Sequence, residues 1–248
     1  MSSMDEWAFF TVGLWVTGKG EEQFLPAFLR SLEETGHCHF VVKQRIGQLS
    51  PRSKKHKQKM VGKGKRLSSK QEDFALKIRG FLERSPANLA IVVDDLEHDR
   101  KAMHEAVYEM YREPLDKILL PRGIQERASV HLFVPMIEAY FLADVEAVNE
   151  TLGLAIKELN GDPEAIRGPK GKLKQYCRDV GQSYDERSDG ERVAGRVNLE
   201  KILANPNYCL SLRCLVKWCS RRIGEPDTDR CQLLEGKVCD VTRTQIGD

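Results

Sequence analysis

Leu89-Ala90-Ile91-Val92-Val93-Asp94-Asp95-Leu96-Glu97-His98-Asp99 is an apolar run that ends abruptly in acid. Its five apolar residues, several of them β-branched or bulky, read as a strand buried on both faces, the pattern of a parallel sheet. Asp94, Asp95, Glu97 and Asp99 then crowd into six positions. Carboxylates that close raise each other's pKa unless a cation neutralises them or they face open water. Two readings stand. One is a site for a hard divalent cation, Mg2+ or Mn2+, which suits oxygen ligands at the carboxyl end of a parallel strand. The other is an acidic turn leading into a helix, where acids suit the dipole.

Towards the N-terminus, Ala8 to Val16 is apolar and rich in strand formers, and reads as a first core strand. Thr17-Gly18-Lys19-Gly20-Glu21-Glu22 follows as a strand-to-helix turn. Gln23 to Thr35 carries Phe24, Leu25, Phe28, Leu29 and Leu32 at helical spacing, with Pro26 tolerable only in a first turn and Gly36 as the stop. Cys38 to Ile46 reads as a second strand. Beyond it, residues 47–67 form a basic loop: Arg52 to Arg66 holds eight Lys/Arg and no acid. Lys54, Lys55, Lys57, Lys59, Lys63, Lys65 and Arg66 could neutralise the phosphates of a nucleic acid, or the run could be a solvated loop without that role. Aromatic residues for base stacking are absent from it. Ser68 reads as the cap of a helix running to about Arg84.

Towards the C-terminus, Arg100 to Leu120 returns to helical pattern with a break expected near Pro114. Val130 to Val134 fits another core strand, ended by Pro135. Glu138 then stands among apolar residues at the start of a helix, either salt-bridged or part of a site, since acids are rarely buried without a partner. Strands alternating with helices predict an α/β fold, a mostly parallel sheet flanked by helices, with its functional edge at the carboxyl ends of the strands. The Gly18 to Glu22 turn, the acidic cluster and Glu138 all fall on that edge. Residues 1–150 read as the α/β core. Residues 151–248 read as a helical C-terminal extension with a basic, glycine-rich stretch at Arg167 to Lys172, a polar loop from Gln182 to Arg192 and a polar tail from Glu225.

Composition excludes several classes. The chain has 248 residues, 31% of them charged, with a formal net charge of only +2, so whole-chain electrostatics select no partner. Its seven cysteines form no C-x-x-C pair, which argues against a zinc site and for thiols in a reducing cytoplasm. No apolar run approaches the roughly 20 residues of a membrane span. A soluble cytoplasmic protein is expected. The G-x-x-x-x-G-K-[ST] pattern of a P-loop is absent around Gly18-Lys19-Gly20. Oligomeric state is left open, a homo-oligomer included.

Three segments together resemble a Toprim domain, the α/β module of topoisomerases, primases and OLD-type nucleases. The first is Val16-Thr17-Gly18, where that superfamily has a "VEG" turn. The second is Asp95-Leu96-Glu97 with Asp99, where it has an acidic, Mg2+-binding strand end. The third is Glu138-Ala139-Tyr140-Phe141-Leu142-Ala143-Asp144, which is similar to the "E-A-W/Y-L-L-A-D" helix of a Toprim-related bacterial family of unknown function. The resemblance implies a Toprim/Rossmann-like sheet and a metal-dependent nuclease of DNA or RNA. It implies an effector in anti-phage defence, encoded beside an ABC- or AAA-type ATPase. Its site would place Asp94, Asp95, Glu97, Asp99 and Glu138 on Mg2+ or Mn2+, with Glu21, Glu22, Asp95, Glu97 and Glu138 in catalysis. Lys170 and Lys172 would join the basic loop on nucleic acid. Thr17 departs from the pattern, because a hydroxyl cannot exchange a proton at neutral pH as a glutamate can. Glu21 or Glu22, about one helical turn on, could substitute. If neither reaches the cluster, the alternative is a non-catalytic regulatory or scaffold subunit that binds an ATPase or nucleic acid.

Overall fold

The sheet has four strands: β1 (Phe10–Val16), β2 (Cys38–Arg45), β3 (Asn88–Asp95) and β4 (Ala128–Phe133). All four run parallel, in the order β2-β1-β3-β4. The computed structural model describes residues 9–49, 67–157 and 159–223, and for His98 and Asp99 the backbone alone. Register aligns the strand ends that matter: Val16 pairs with Val93, and Asp95 with Phe133.

The apolar run of β3 is apolar on both faces because both are covered. Leu89, Ile91 and Val93 join Val12, Leu14 and Val16 of β1 in one apolar cluster, while Ala90 and Val92 join Trp15 in a second on the opposite face. The first face is covered by α1 (Lys19–Phe28), α2 (Arg30–Glu33), α6 (Ile137–Ala143) and α7 (Val145–Leu152). The second is covered by α3 (Ser69–Leu82) and α5 (His104–Leu119), the latter preceded by the short α4 (His98–Lys101). The chain therefore leaves β1 on one face and β3 on the other. Where neighbouring parallel strands send their connections to opposite faces, a crevice opens beyond their carboxyl ends.

The helices after residue 150 do not stand apart from the sheet. These are α8 (Pro169–Asp179), α9 (Ser188–Ala194), α10 (Leu199–Ile202) and α11 (Leu210–Ile223). Leu173, Cys177, Val193, Leu199 and Leu215 belong to the same apolar cluster as the β1 and β3 side chains. No helix among the described residues is long and apolar enough to cross a membrane. The five described cysteines, Cys38, Cys177, Cys209, Cys214 and Cys219, are free and buried.

Several local expectations are corrected. The helix after β1 begins at Lys19, directly on the Gly18 turn, so Pro26 lies well inside it, and the helix gives way at Leu29 to α2. The helix carrying Pro114 continues through it to Leu119, with Pro114 buried against the second cluster's face. The segment read as a polar loop from Gln182 to Arg192 contains the start of α9. By contrast Ser68 caps α3 as the sequence suggests, in a capping box with Gln71. The polar tail from Glu225 lies outside the described residues.

Gly190 of α9 sits against the Phe24 ring, where an added Cβ would come within 2.5 Å of Cζ. Gly190→Ala is expected to cost about 1–3 kcal/mol through overpacking. Gly80→Ala, in an exposed part of α3 with nothing within 4 Å, is expected to stabilise by roughly 0.5–1 kcal/mol. Urea unfolding of the two variants measures both; equal effects would refute the packing of α9 on α1.

Candidate functional site

β3 delivers two aspartates to the crevice, and strand alternation sends them to opposite faces. Asp94 has the parity of Ala90 and Val92 and points to the α3/α5 side, where it is fully buried. Thr17 Oγ1 donates to its Oδ1 at 2.7 Å and Gln48 Nε2 at 3.1 Å. The Tyr111 hydroxyl donates to Oδ2 at 2.9 Å. Arg100 donates to both oxygens, Nη1 to Oδ1 at 3.2 Å and Nη2 to Oδ2. Burial pulls the Arg100 guanidinium down, and its bonds to Asp94 more than offset this, leaving it above its ordinary value. Burial and the Asp94 charge together push the Tyr111 phenol well up. The same two side chains tie down the next segment: Arg100 Nη2 donates to the Leu49 carbonyl at 2.7 Å, and the Leu49 amide donates to the Tyr111 hydroxyl at 2.8 Å.

Asp95 has the other parity. It faces the α1/α6 side, where Glu21 and Glu138 also arrive. Glu21 stands in the first turn of α1 and is 3% exposed. Its carboxylate folds back over Gly18, where a Cβ would lie 2.0 Å from Oε2. Only glycine leaves room for that approach. Glu138, in the first turn of α6, is equally buried. Asp95 Oδ1 is sealed from solvent with no donor facing it. Asp95 is held well above the ordinary aspartate range by burial, by the charge of Glu21 with a hydrogen bond between the two carboxyls, and by the charges of Glu138 and Asp94. Two carboxyl groups can share a hydrogen bond only when one carries a proton. Burial also raises Glu138, against the pull of Lys170. Lys170, near the start of α8, places Nζ 3.5 Å from Glu138 Oε1 and 3.3 Å from Glu186 Oε2.

Of the residues expected from sequence, Glu21, Asp95 and Glu138 come together. Asp94 does not join them; its oxygens are taken up by Thr17, Gln48, Tyr111 and Arg100. Glu22 is half exposed and pairs with Arg45 at 3.3 Å, away from the cluster. Glu97 is exposed and precedes α4 as its cap position, the acidic turn of the alternative reading. The Asp99 side chain, and Lys54, Lys55, Lys57, Lys59, Lys63, Lys65 and Arg66, lie outside the described residues. Lys172 is exposed on α8, and Lys170 is engaged by two glutamates. Sequence reasoning missed Arg100, Tyr111 and Gln48. Arg100, close behind an acidic cluster, carried a signal; Tyr111 and Gln48 carried none.

Two features fit a divalent cation: the undonated Asp95 oxygen and the hard carboxylate donor set. As placed, no three His, Cys, Asp or Glu side chains among the described residues stand ready to hold a metal ion. A metal at Glu21, Asp95 and Glu138 therefore requires side-chain adjustment, Glu138 away from Lys170 above all.

Fold and site together define an α/β protein with an all-parallel sheet and a buried carboxylate cluster at its switch point. A family model matches residues 16–217, and the chain belongs to that family, described as "Domain of unknown function (DUF4276)". Among solved structures, the C-terminal region of the Burkholderia pseudomallei OLD protein is similar over 86% of this chain and 98% of that one, at 11% identity and a TM-score of 0.42. A likeness this loose bears on neither activity nor substrate. No curated protein matches the chain.

Removing Asp94 leaves the Arg100 guanidinium buried and unpaired, so Asp94→Ala is expected to cost about 3–5 kcal/mol. Thr17→Val removes one neutral donor and is expected to cost about 1 kcal/mol. Denaturant unfolding tests this order, and equal losses would refute it. Asp95 gives the opposite sign. Its native carboxyl holds a proton more tightly than the unfolded chain does, so stability falls as pH rises from the ordinary aspartate range through its raised native value. In metal-free buffer Asp95→Asn should flatten that slope. It should stabilise by about 0.5–2 kcal/mol near neutral pH, the usual scale for relieving a strained site, and by less at pH 4. A variant no more stable than wild type at neutral pH would contradict the buried-acid geometry.

Proposed function

We propose that this chain is a divalent-metal-dependent phosphodiesterase acting on nucleic acid, with Glu21, Asp95 and Glu138 as its site. The observation that carries the reading is the convergence of three buried carboxylates at the carboxyl edge of the sheet, Asp95 from the end of β3 and Glu21 and Glu138 from the first turns of the helices that follow β1 and β4. Such a cluster destabilises its own ionised form, and a dication is the partner that relieves it. Mg2+ or Mn2+ held there would supply Lewis acidity towards a phosphoryl oxygen and lower the pKa of a water.

The chain's own residues have separate roles in this reading. Asp95 and Glu21 stand side by side, and once a cation is bound either is placed to accept a proton from an attacking water, Glu21 from the position one helical turn past Thr17. Lys170 balances Glu138 and stands ready to meet a phosphate once Glu138 turns away. The basic run from Arg52 to Arg66, by composition, supplies cations for a phosphate backbone. The narrower reading, a Toprim nuclease serving as anti-phage effector beside an ABC- or AAA-type ATPase, rests on the sequence resemblance.

A second reading has its own support. Lys170 already pairs with Glu138, an arrangement a regulatory or scaffold subunit that retains the fold without cutting could keep. Cleavage of plasmid DNA and of tRNA with Mg2+ or Mn2+ separates the two. The phosphodiesterase reading expects Glu21→Ala, Asp95→Ala and Glu138→Ala each to lose about a hundredfold or more, the lower end of what an acid–base group contributes. Glu22→Ala and Glu97→Ala, whose side chains face solvent, should lose no more than a few-fold. Undiminished cleavage by Asp95→Ala, or no cleavage by wild type with and without an ATPase partner, would decide for the second reading.

A further inference from the structure

Lys170 stands between two carboxylates in unlike surroundings. Its Nζ is 3.5 Å from Glu138 Oε1 and 3.3 Å from Glu186 Oε2. Glu138 belongs to the buried cluster, with 4% of its side chain exposed. Glu186 is 44% exposed and also takes Lys174 Nζ at 2.5 Å. One ammonium thus has two resting places, one inside the carboxylate site and one at its outer side.

The backbone on either side of this contact is anchored. Leu173 and Cys177 hold α8 in the apolar cluster, and Tyr184 and Val193 hold the chain that leads from α8 into α9. Gln23 ties α1 to the same stretch, donating to the Glu191 carboxylate at 2.9 Å and to the Arg187 carbonyl at 3.3 Å. The part free to rearrange is the Lys170 side chain, a compact charge on a flexible four-carbon stem, 37% exposed. If it leaves Glu138 it does not go unpaired, because Glu186 is already within reach. Glu138 has no such second partner, and a buried carboxylate stripped of its counter-charge is strongly disfavoured. Lys170 can therefore withdraw only as another cation arrives. Glu138 and Lys170 line one cavity of about 540 Å³ that opens to solvent, so a cation coming from water meets the ammonium beside the cluster.

We infer that Lys170 is a latch on the carboxylate site: the ammonium and a divalent cation are alternative partners of Glu138, and a cation that enters sends Lys170 to Glu186. Lys170 is in this sense a positioning residue, one that sets how readily the site loads. The inference rests on the phosphodiesterase reading for the identity of the cation and adds the regulation of that site. The ammonium brings one charge to one carboxylate, whereas a dication brings two charges to Glu21, Asp95 and Glu138 together. Concentration then decides the exchange by mass action. Where only an open fraction can bind, apparent affinity falls by that fraction, so a latch closed about nine-tenths of the time weakens the metal about tenfold.

Calorimetry with Mn2+ reads the exchange without any cleavage. Lys170→Met is expected to bind Mn2+ about tenfold more tightly than wild type. Lys170→Arg, which keeps the charge, should stay within about threefold of wild type, as should Arg178→Met, which removes an exposed cation from the same helix. Asp95→Asn should bind at least about tenfold more weakly than wild type, which places the ion in the cluster. Lys170→Met also leaves Glu138 without its partner and is expected to lower Tm, so a second readout uses wild type alone. Acylation of the Lys170 amine, followed by mass spectrometry, should rise about threefold or more on adding Mn2+, while that of Lys77, paired with Asp73 on α3, stays constant. Equal Mn2+ affinity in wild type and Lys170→Met, an equal gain in Lys170→Arg or Arg178→Met, or acylation of Lys170 indifferent to Mn2+ would each overturn the latch. With binding still dependent on Asp95, the phosphodiesterase reading would survive all of these. No Mn2+ binding by wild type and Lys170→Met alike, or binding indifferent to Asp95→Asn, would instead sink that reading and the latch with it. Binding by Lys170→Met alone would support the latch in its strongest form.

Discussion

Arg100 lays its guanidinium against Asp94 inside the protein, and the carboxyl edge of the sheet is built around that contact. Both groups are almost wholly buried, and taking two charges out of water costs more than their attraction returns unless every remaining bond is made. Here they nearly all are. Thr17 brings in the end of β1, Tyr111 brings in α5, and Gln48 and Leu49 bring in the chain leaving β2. One carboxylate therefore fixes how two strands, one helix and one loop entry stand relative to each other. The pair adds little net stability by itself; what it supplies is position.

The neighbouring residue inherits that position with the opposite character. Asp94 and Asp95 point to opposite faces, so the clamp that satisfies the first cannot serve the second. Asp95 is pressed towards Glu21 and Glu138 with an oxygen that no donor reaches. Proteins hold such unfavourable groups in place only where the surroundings over-determine them, and these concentrate at sites with work to do. The crevice at the switch point thus contains one carboxylate fully neutralised for structure and another deliberately short of charge compensation. Lys170 meets part of the shortfall at Glu138, from a helix that lies after the strands and packs on the same face.

Much of this was legible in the sequence, and the parts that were not have physical reasons. The strands were readable because a run covered on both faces must be apolar throughout, as Leu89 to Val93 is. The site edge followed from placing each acidic segment after a strand. The division of labour between Asp94 and Asp95 was missed because acids were counted by proximity along the chain; alternation at a strand end separates adjacent side chains more surely than distance unites them. Glu22 and Glu97 sat in the right turns and faced outwards, a distinction that depends on the start of a helix to within one residue. Pro26 was expected in a first turn and Pro114 at a break, yet both lie inside helices, because tertiary burial of their helix faces outweighs one lost backbone bond. Tyr184 was hidden in a polar stretch whose only apolar ring gave no periodicity.

Thr17 looks at first like a lost catalytic residue, and the clamp gives it another meaning. Its hydroxyl is 2.7 Å from Asp94 and donates to it. A carboxylate at the same place would bring an acceptor to an acceptor, in a part-buried setting where like charges repel strongly. Asp94 as held by Arg100 and Tyr111 is therefore compatible with a donor at position 17 and poorly compatible with an acid. The acid this turn does present comes from the helix start: with Gly18 as the cap of α1, Glu21 folds back over the turn to Asp95 on the opposite face. Threonine at 17 and glutamate at 21 are two halves of one solution, a donor for the clamped Asp94 and a carboxyl partner for the undonated Asp95.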